Sequence, residues 1–196
     1  ISGSPELLVI KMKNWKRNYW FDEINSLWTN PSPNIPNLET AILYPGMCLL
    51  EATNVNEGRG TTKPFKRFGA PWINNQKLAV ELNNLNLPGV VFKPITYIPI
   101  DIKGMANNPK YKNQVCNGIE MMITNRNNYN SVNTGIAVIS LISKFHSDKF
   151  EINAPSMNRL WGKNNFPNIL NSNGKSTNNE QIRIFQELSK KYYFYD

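Results

Sequence analysis

The chain has 196 residues, 40% of them hydrophobic, and a formal net charge of +8. That length can bury one sizeable core, or one domain and part of another, and the composition excludes a disordered chain. No apolar run is long enough to span a membrane, no basic and apolar leader opens the sequence, and the lysines are scattered rather than gathered on a nucleic-acid-binding signature.

In chain order, residues 6–12 are apolar enough for a short buried strand. Residues 14–25 are rich in aromatics (Trp15, Tyr19, Trp20, Phe21), and Trp28 follows. Pro31, Pro33 and Pro36 remove backbone donors, so residues 30–36 form a rigid extended loop. Asn37 offers an N-cap for a helix through Leu43, and Pro45-Gly46 then turns the chain. Residues 47–52 read as a short apolar strand, and residues 68–72 as another turn with large apolar anchors. Asn74 or Asn75 caps a helix with Leu78, Ala79, Leu82 and Leu85 on one face. Residues 89–100 read as a strand that Pro94 and Pro99 confine to an edge, and residues 115–124 as a second strand.

Residues 131–146 form a helix that is apolar nearly all round, and so is expected to lie buried between layers. Residues 151–175 are poorly periodic. A last helix over residues 178–193 points Ile182, Phe185 and Leu188 at a core, with Tyr192, Tyr193, Phe194 and Tyr195 packed against the domain. The expected fold class is α+β: a small mixed domain, preceded by the tail of an α/β sheet.

Cys48 and Cys116 lie in apolar surroundings and outside any metal-type spacing. Buried free thiols are the default, with one disulfide as the alternative. His146 is the single histidine, which leaves no multi-histidine metal site, and it reads as a solvent-facing helix end. Any catalysis falls to carboxylates, tyrosines or arginine, and no metal or cofactor is implied.

One stretch is unlike the rest. Residues 51–65, E-A-T-N-V-N-E-G-R-G-T-T-K-P-F, hold two carboxylates, one guanidinium, two amides, three threonine hydroxyls and two glycines without a hydrophobic period. The glycines flanking Arg59 permit backbone geometries closed to other residues. A ligand-contacting loop has this composition; so does a tightly hydrogen-bonded structural loop.

That stretch stands in an ordered set with Pro31-Ser32-Pro33-Asn34-Ile35-Pro36, Tyr44-Pro45-Gly46 and Phe68-Gly69-Ala70-Pro71-Trp72. Trp15-Lys16-Arg17 and Cys116-Asn117-Gly118-Ile119 also fit. Together they resemble the exo-acting β-N-acetylmuramidase (NamZ-type) family. The resemblance implies a glycoside hydrolase that releases N-acetylmuramic acid from the non-reducing ends of peptidoglycan fragments. It also implies a Rossmann-like N-terminal domain, a smaller α+β C-terminal domain and a site in the cleft between them. On that basis residues 1–63 are the end of the Rossmann-like domain plus the motif loop, and residues 64–196 are the α+β domain. Most of the Rossmann-like domain is then missing from this sequence, and with it any catalytic carboxylate that the family places there.

Glu51 and Glu57 are the expected pair of catalytic carboxylates. Arg59 suits the lactyl carboxylate of muramic acid, because its planar fork binds carboxylates bidentately. Asn34, Asn54, Asn56 and Thr61 are placed to hydrogen-bond the sugar, and Trp72, Trp20 or Trp28 to stack on it. The competing readings are an internal Glu57–Arg59 salt bridge, Glu51 bonded to backbone amides, a purely packing role for the proline-rich loop, and Trp72 as a core anchor. The expected partners are peptidoglycan-derived muramyl glycans and not nucleic acid, and the expected location is the cell envelope or outside the cell. The alternative function is a non-catalytic module that binds an anionic cell-wall glycan or a protein partner.

Overall fold

The structure, a computed structural model, describes residue 3, residues 6–171 and residues 179–195. Its elements in chain order are α1 (Leu38–Met47), β1 (Arg67–Ala70), α2 (Asn75–Asn84), β2 (Val90–Tyr97), β3 (Cys116–Ile123), α3 (Ser131–Phe145), α4 (Ala154–Trp161), α5 (Phe166–Asn171) and α6 (Asn179–Lys190), with short 3-10 helices at Phe21–Glu23 and Cys48–Ala52. They fall into two units, Ile1–Trp28 with Asn178–Asp196, and Thr29–Thr177.

The larger unit is built on a three-stranded antiparallel sheet in the order β1-β3-β2. β2 is an edge strand, as its Pro94 requires, because a proline has no N–H for a second ladder. β3 takes the centre, and its Gly118 lets β1 approach: a Cβ there would stand 2.3 Å from the Phe68 carbonyl oxygen. Residues 68–70, expected as part of a turn, belong to strand β1, and the turn is confined to Pro71 and Trp72.

Side-chain caps start the helices. The Oδ1 atoms of Asn37, Asn74, Asn130 and Asn153 accept the N–H groups of Thr40, Lys77, Asn133 and Ser156. α2 buries Leu78, Ala79 and Leu82, while Leu85, just past its end, is largely exposed. α3 buries Thr134, Gly135, Ile136, Val138, Ile139 and Ile142, in keeping with its nearly all-round apolar sequence.

Pro45-Gly46 does not turn the chain: α1 runs through both to Met47. Ser131 is the physical reason. Its Oγ accepts the Gly46 N–H at 2.8 Å and donates to the Leu43 carbonyl at 2.7 Å, which repairs a helical ladder that proline interrupts. Nor is the segment that follows a strand; it tightens into the 3-10 helix Cys48–Ala52, which carries Leu49, Leu50 and Ala52 into the core. The poorly periodic region holds two helices, α4 and α5, each too short to show a period. α4 ends on Gly162 in the left-handed conformation, and Phe166 of α5 is fully buried against Trp161. Residues 172–175 of that region, and Asn178 at the expected start of the last helix, lie outside the described residues.

In the smaller unit two expectations are corrected. Residues 6–12 are not a buried strand: Leu8 and Ile10 are 84% and 88% exposed, and no described residue pairs with them in a ladder. Ile182, Phe185 and Leu188 of α6 do not face a core; Phe185 is 70% exposed. A strand or an amphipathic helix is buried only when another element covers it, and among the described residues none covers these. Of the last aromatics, Tyr192, Tyr193 and Phe194 are exposed, whereas Tyr195 packs edge-on against Trp15 at 4.7 Å.

Candidate active site

The polar stretch opens inside the 3-10 helix Cys48–Ala52, which carries Glu51, and runs on as a loop. A two-way bridge between Asn56 and Gly69, with both N–H···O distances 2.9 Å, fastens it to β1. Asn56 is fully buried. Its Oδ1 accepts from the Gly58 N–H (2.8 Å) and the Tyr97 hydroxyl (2.9 Å), and its Nδ2 donates to the Arg59 and Lys110 carbonyls. The Thr61 hydroxyl donates to the Gly58 carbonyl and accepts the Lys63 N–H. Asn54 reaches outward to the Lys149 carbonyl and the Glu151 N–H. These three side chains fold the loop. Gly58 and Gly60 have φ of 82° and 80°, and a Cβ on either would stand 2.6 Å from a neighbouring atom, so Arg59 projects from a backbone that only glycines on both sides permit.

Arg59 brings the two candidate carboxylates together. Its Nη2 lies 2.5 Å from Glu51 Oε1, its Nε lies 3.6 Å from Glu57 Oε1, and the guanidinium sits over the Phe65 ring. Both an internal Glu57–Arg59 pair and a Glu51–Arg59 pair are therefore present. The environments of the carboxylates differ: Glu57 is only 5% exposed, while the Glu51 side chain is 25% exposed and that of Arg59 39%. Burial raises the Glu51 carboxyl above the usual range, Arg59 opposes this, Glu57 adds to it and Lys110 opposes it, with a net rise. Tyr44, whose ring meets Phe65 edge-on, is pushed up by burial and then by Glu51.

Sequence reasoning missed Lys110. Its Nζ lies 2.9 Å from Glu57 Oε2 and donates to the carbonyls of Leu50 (2.9 Å), Glu51 (3.3 Å) and Val55 (3.0 Å). Nothing in its neighbourhood along the chain sets it apart from the other scattered lysines, because its four acceptors lie 53 to 60 residues earlier. Tyr111, beside it, donates its hydroxyl to the Asn54 carbonyl and accepts the Trp72 indole N–H.

Asn34 and Trp72 make their contacts elsewhere. Asn34 is buried and donates through Nδ2 to the Met105 carbonyl at 2.7 Å. Trp72 is half-buried between Tyr111 and the edge of His146. His146 does not simply face solvent: it is half-buried, its Nε2 accepts the Asn74 N–H, and burial lowers its pKa. Cys48 and Cys116 are free thiols, Cys116 buried and Cys48 half-buried. No group of His, Cys, Asp and Glu that could hold a metal ion exists among the described residues.

Comparison with known proteins places the chain in a family. The profile of "Exo-beta-N-acetylmuramidase NamZ, C-terminal" matches residues 42–195, and that of "Exo-beta-N-acetylmuramidase NamZ, N-terminal" matches residues 2–39. The peptidoglycan beta-N-acetylmuramidase NamZ of Bacillus subtilis (strain 168) is 36% identical over 201 residues, covering 99% of this chain and 47% of that protein. The crystal structure of a DUF1343 family protein from Bacteroides fragilis superposes with a TM-score of 0.82 at 25% identity, over 95% of this chain and 50% of that one. A second Bacteroides fragilis protein of that family gives 0.66 at 25% identity, over 94% and 47%. The chain thus spans about half the length of the relatives it matches. With matches that run from residue 2 to residue 195, the chain belongs to the exo-β-N-acetylmuramidase NamZ family.

Proposed function

We propose that this chain forms part of a glycoside hydrolase that releases N-acetylmuramic acid from the non-reducing ends of peptidoglycan fragments, in the cell envelope or outside the cell. The observation that carries the reading is one guanidinium shared by two carboxylates in unlike surroundings, on a loop of a chain 36% identical to a peptidoglycan β-N-acetylmuramidase. Unlike surroundings let two carboxylates take different roles.

Glu51 is within reach of solvent and keeps its proton to higher pH than an ordinary glutamate, which suits a general acid that protonates the leaving-group oxygen. Arg59, more than a third exposed, offers its remaining N–H donors to the lactyl carboxylate of the sugar. Glu57 is buried and held by Lys110, and acts through Arg59 as a positioning residue. Asn54, Asn56 and Thr61 shape the loop that presents these groups.

The test is release of N-acetylmuramic acid from a chromogenic β-N-acetylmuramide, with the B. subtilis relative as the reference. The chain is assayed alone and fused behind the N-terminal half of that relative. Glu51→Gln is expected to lower kcat by about 100-fold or more, and Arg59→Ala to lower kcat/KM by about ten-fold or more. Parental turnover by both variants would overturn the assignment. Folded protein that binds N-acetylmuramic acid without turning over the muramide in either form would favour a non-catalytic glycan-binding module.

A further inference from the structure

The segment between β2 and β3 is fastened to the polar loop on both sides of Lys110. The Ile100 N–H donates to the Gly60 carbonyl (2.9 Å), the Lys110 carbonyl accepts from Asn56 Nδ2 (3.0 Å), and the Tyr111 hydroxyl donates to the Asn54 carbonyl (2.7 Å). Asn108, Tyr111 and Asn113 take left-handed backbone, with φ of 51°, 57° and 60°. That conformation is uncommon for a residue as large as tyrosine and persists only where its surroundings enforce it, as they do at functional sites. Here it fixes the point from which the Lys110 side chain starts. We propose, on the reading of Glu51 and Arg59 as the groups that act on the sugar, that Lys110 is a positioning residue: by holding Glu57 it keeps the Arg59 guanidinium for Glu51 and the substrate.

Two carboxylates and two cations share the site, and the distances show how they divide. Lys110 Nζ lies 2.9 Å from Glu57 Oε2. Arg59 Nε lies 3.6 Å from Glu57 Oε1, beyond a hydrogen bond, while Arg59 Nη2 lies 2.5 Å from Glu51 Oε1. Lys110 also donates to the Glu51 carbonyl at 3.3 Å, so its ammonium is tied to the backbone that carries the exposed carboxylate.

Glu57 is only 5% exposed, and water cannot replace a lost partner there. Without Lys110, Arg59 must serve both carboxylates, and the buried one draws the guanidinium away from Glu51. Arg59 and Lys110 favour the charged form of Glu51 and Glu57 opposes it, while Tyr44 and Cys48 feel the Glu51 charge in turn. Loss of Lys110 removes one of the two cations and draws off the other. Both changes hold the Glu51 proton to higher pH.

The experiment is a heteronuclear NMR titration of the glutamate side-chain carboxyls in the whole chain, with Glu51→Gln identifying the Glu51 signal. Lys110→Met is expected to move the Glu51 midpoint to higher pH, and Lys110→Arg to leave it near the parental position. The double variant Lys110→Met, Glu57→Gln removes the buried charge together with its counter-ion, which a fold tolerates better than the loss of one alone. It should bring the Glu51 midpoint back toward the parental position, because Arg59 is again left to Glu51. A lysine that served only to fold the loop would not be made dispensable by removing Glu57. In the fusion to the N-terminal half of the B. subtilis relative, Lys110→Met should lower kcat/KM for the β-N-acetylmuramide by about ten-fold, the scale of a charged hydrogen bond. The basic limb of its pH profile should rise with the Glu51 midpoint, and the double variant should recover part of both. An unmoved Glu51 midpoint in folded Lys110→Met, or a double variant that titrates like Lys110→Met, would overturn the proposal. Parental turnover by Glu51→Gln beside a moved midpoint would overturn the catalytic role of Glu51 and still support the hold of Lys110 on the pair.

Discussion

A lysine ammonium has three donors and no acceptor, and Lys110 commits them among three loop carbonyls and the buried Glu57 carboxylate. Lys110→Met would leave Glu57 only its 3.6 Å contact with Arg59 and would remove the lysine donor from the Glu51 and Val55 carbonyls, while the Leu50 carbonyl would keep the Thr53 N–H and hydroxyl. Loss of a partner from a buried ion pair costs about 3–5 kcal/mol, and the partial exposure of Lys110 reduces this to about 2–4 kcal/mol, readable as a lower urea midpoint. Lys110→Arg should recover part of that loss. Glu51 supplies a pH test. Its folded-state carboxyl is raised, burial being the largest cause, so the folded protein binds this proton more tightly than the unfolded chain. Its contribution to stability is complete below the unfolded value and is lost as pH rises through the folded one. Glu51→Gln should flatten the stability profile in the weakly acidic range just above the ordinary glutamate value of about 4.3; a profile that keeps its parental slope there would contradict the assignment.

Between elements, the closest approach is the crossing of α1 and α3. A Cβ on Gly135 would stand 2.4 Å from the Gly46 carbonyl oxygen, and one on Gly46 only 1.8 Å from the Ser131 carbonyl oxygen. These neighbours are backbone atoms, so no rotamer change relieves the clash. Gly135→Ala is expected to destabilise by about 1–3 kcal/mol or more, seen as a lower Tm. The same crossing supplies the Ser131 hydroxyl that carries α1 through Pro45. The asparagine caps of α1 and α2 were legible because a cap is a contact over three residues. The continuation of α1 was not, because its cause lies 85 residues further along the chain.

At the scale of the molecule, the two thiols are free, Cys116 buried and Cys48 half-buried. Burial pushes the Cys116 thiol up to about 12, and burial raises that of Cys48 as well. Native protein treated with iodoacetamide at neutral pH should therefore keep Cys116 unmodified in the mass spectrum, and a reductant should leave Tm unchanged. Rapid labelling of Cys116 in folded protein would contradict its burial. The larger unit holds the contiguous core from Leu43 to Phe166, whereas residues 7–10 and the apolar side of α6 are exposed. The relatives are about twice as long as this chain.

Short-range chemistry was open to reading from the residues: helix caps, the proline-bearing edge strand, the apolar helix α3 and the odd composition of residues 51–65; the family resemblance rested on that stretch standing in order with Pro31–Pro36, Tyr44-Pro45-Gly46 and Phe68–Trp72. Each rests on neighbours a few positions apart or on the composition of one segment. Long-range pairing was not open to such reading. Whether Asn56 faces ligand or holds the loop depends on Tyr97 and Lys110. Whether Glu57 is free depends on Lys110. Whether residues 6–12 form a strand depends on a ladder partner that an apolar pattern does not itself supply. Hydrogen bonds and ion pairs across tens of residues are set by how the sheet and helices pack, so the fold, and not local composition, assigned the loop's polar groups to its own architecture and left Glu51 and Arg59 within reach of solvent.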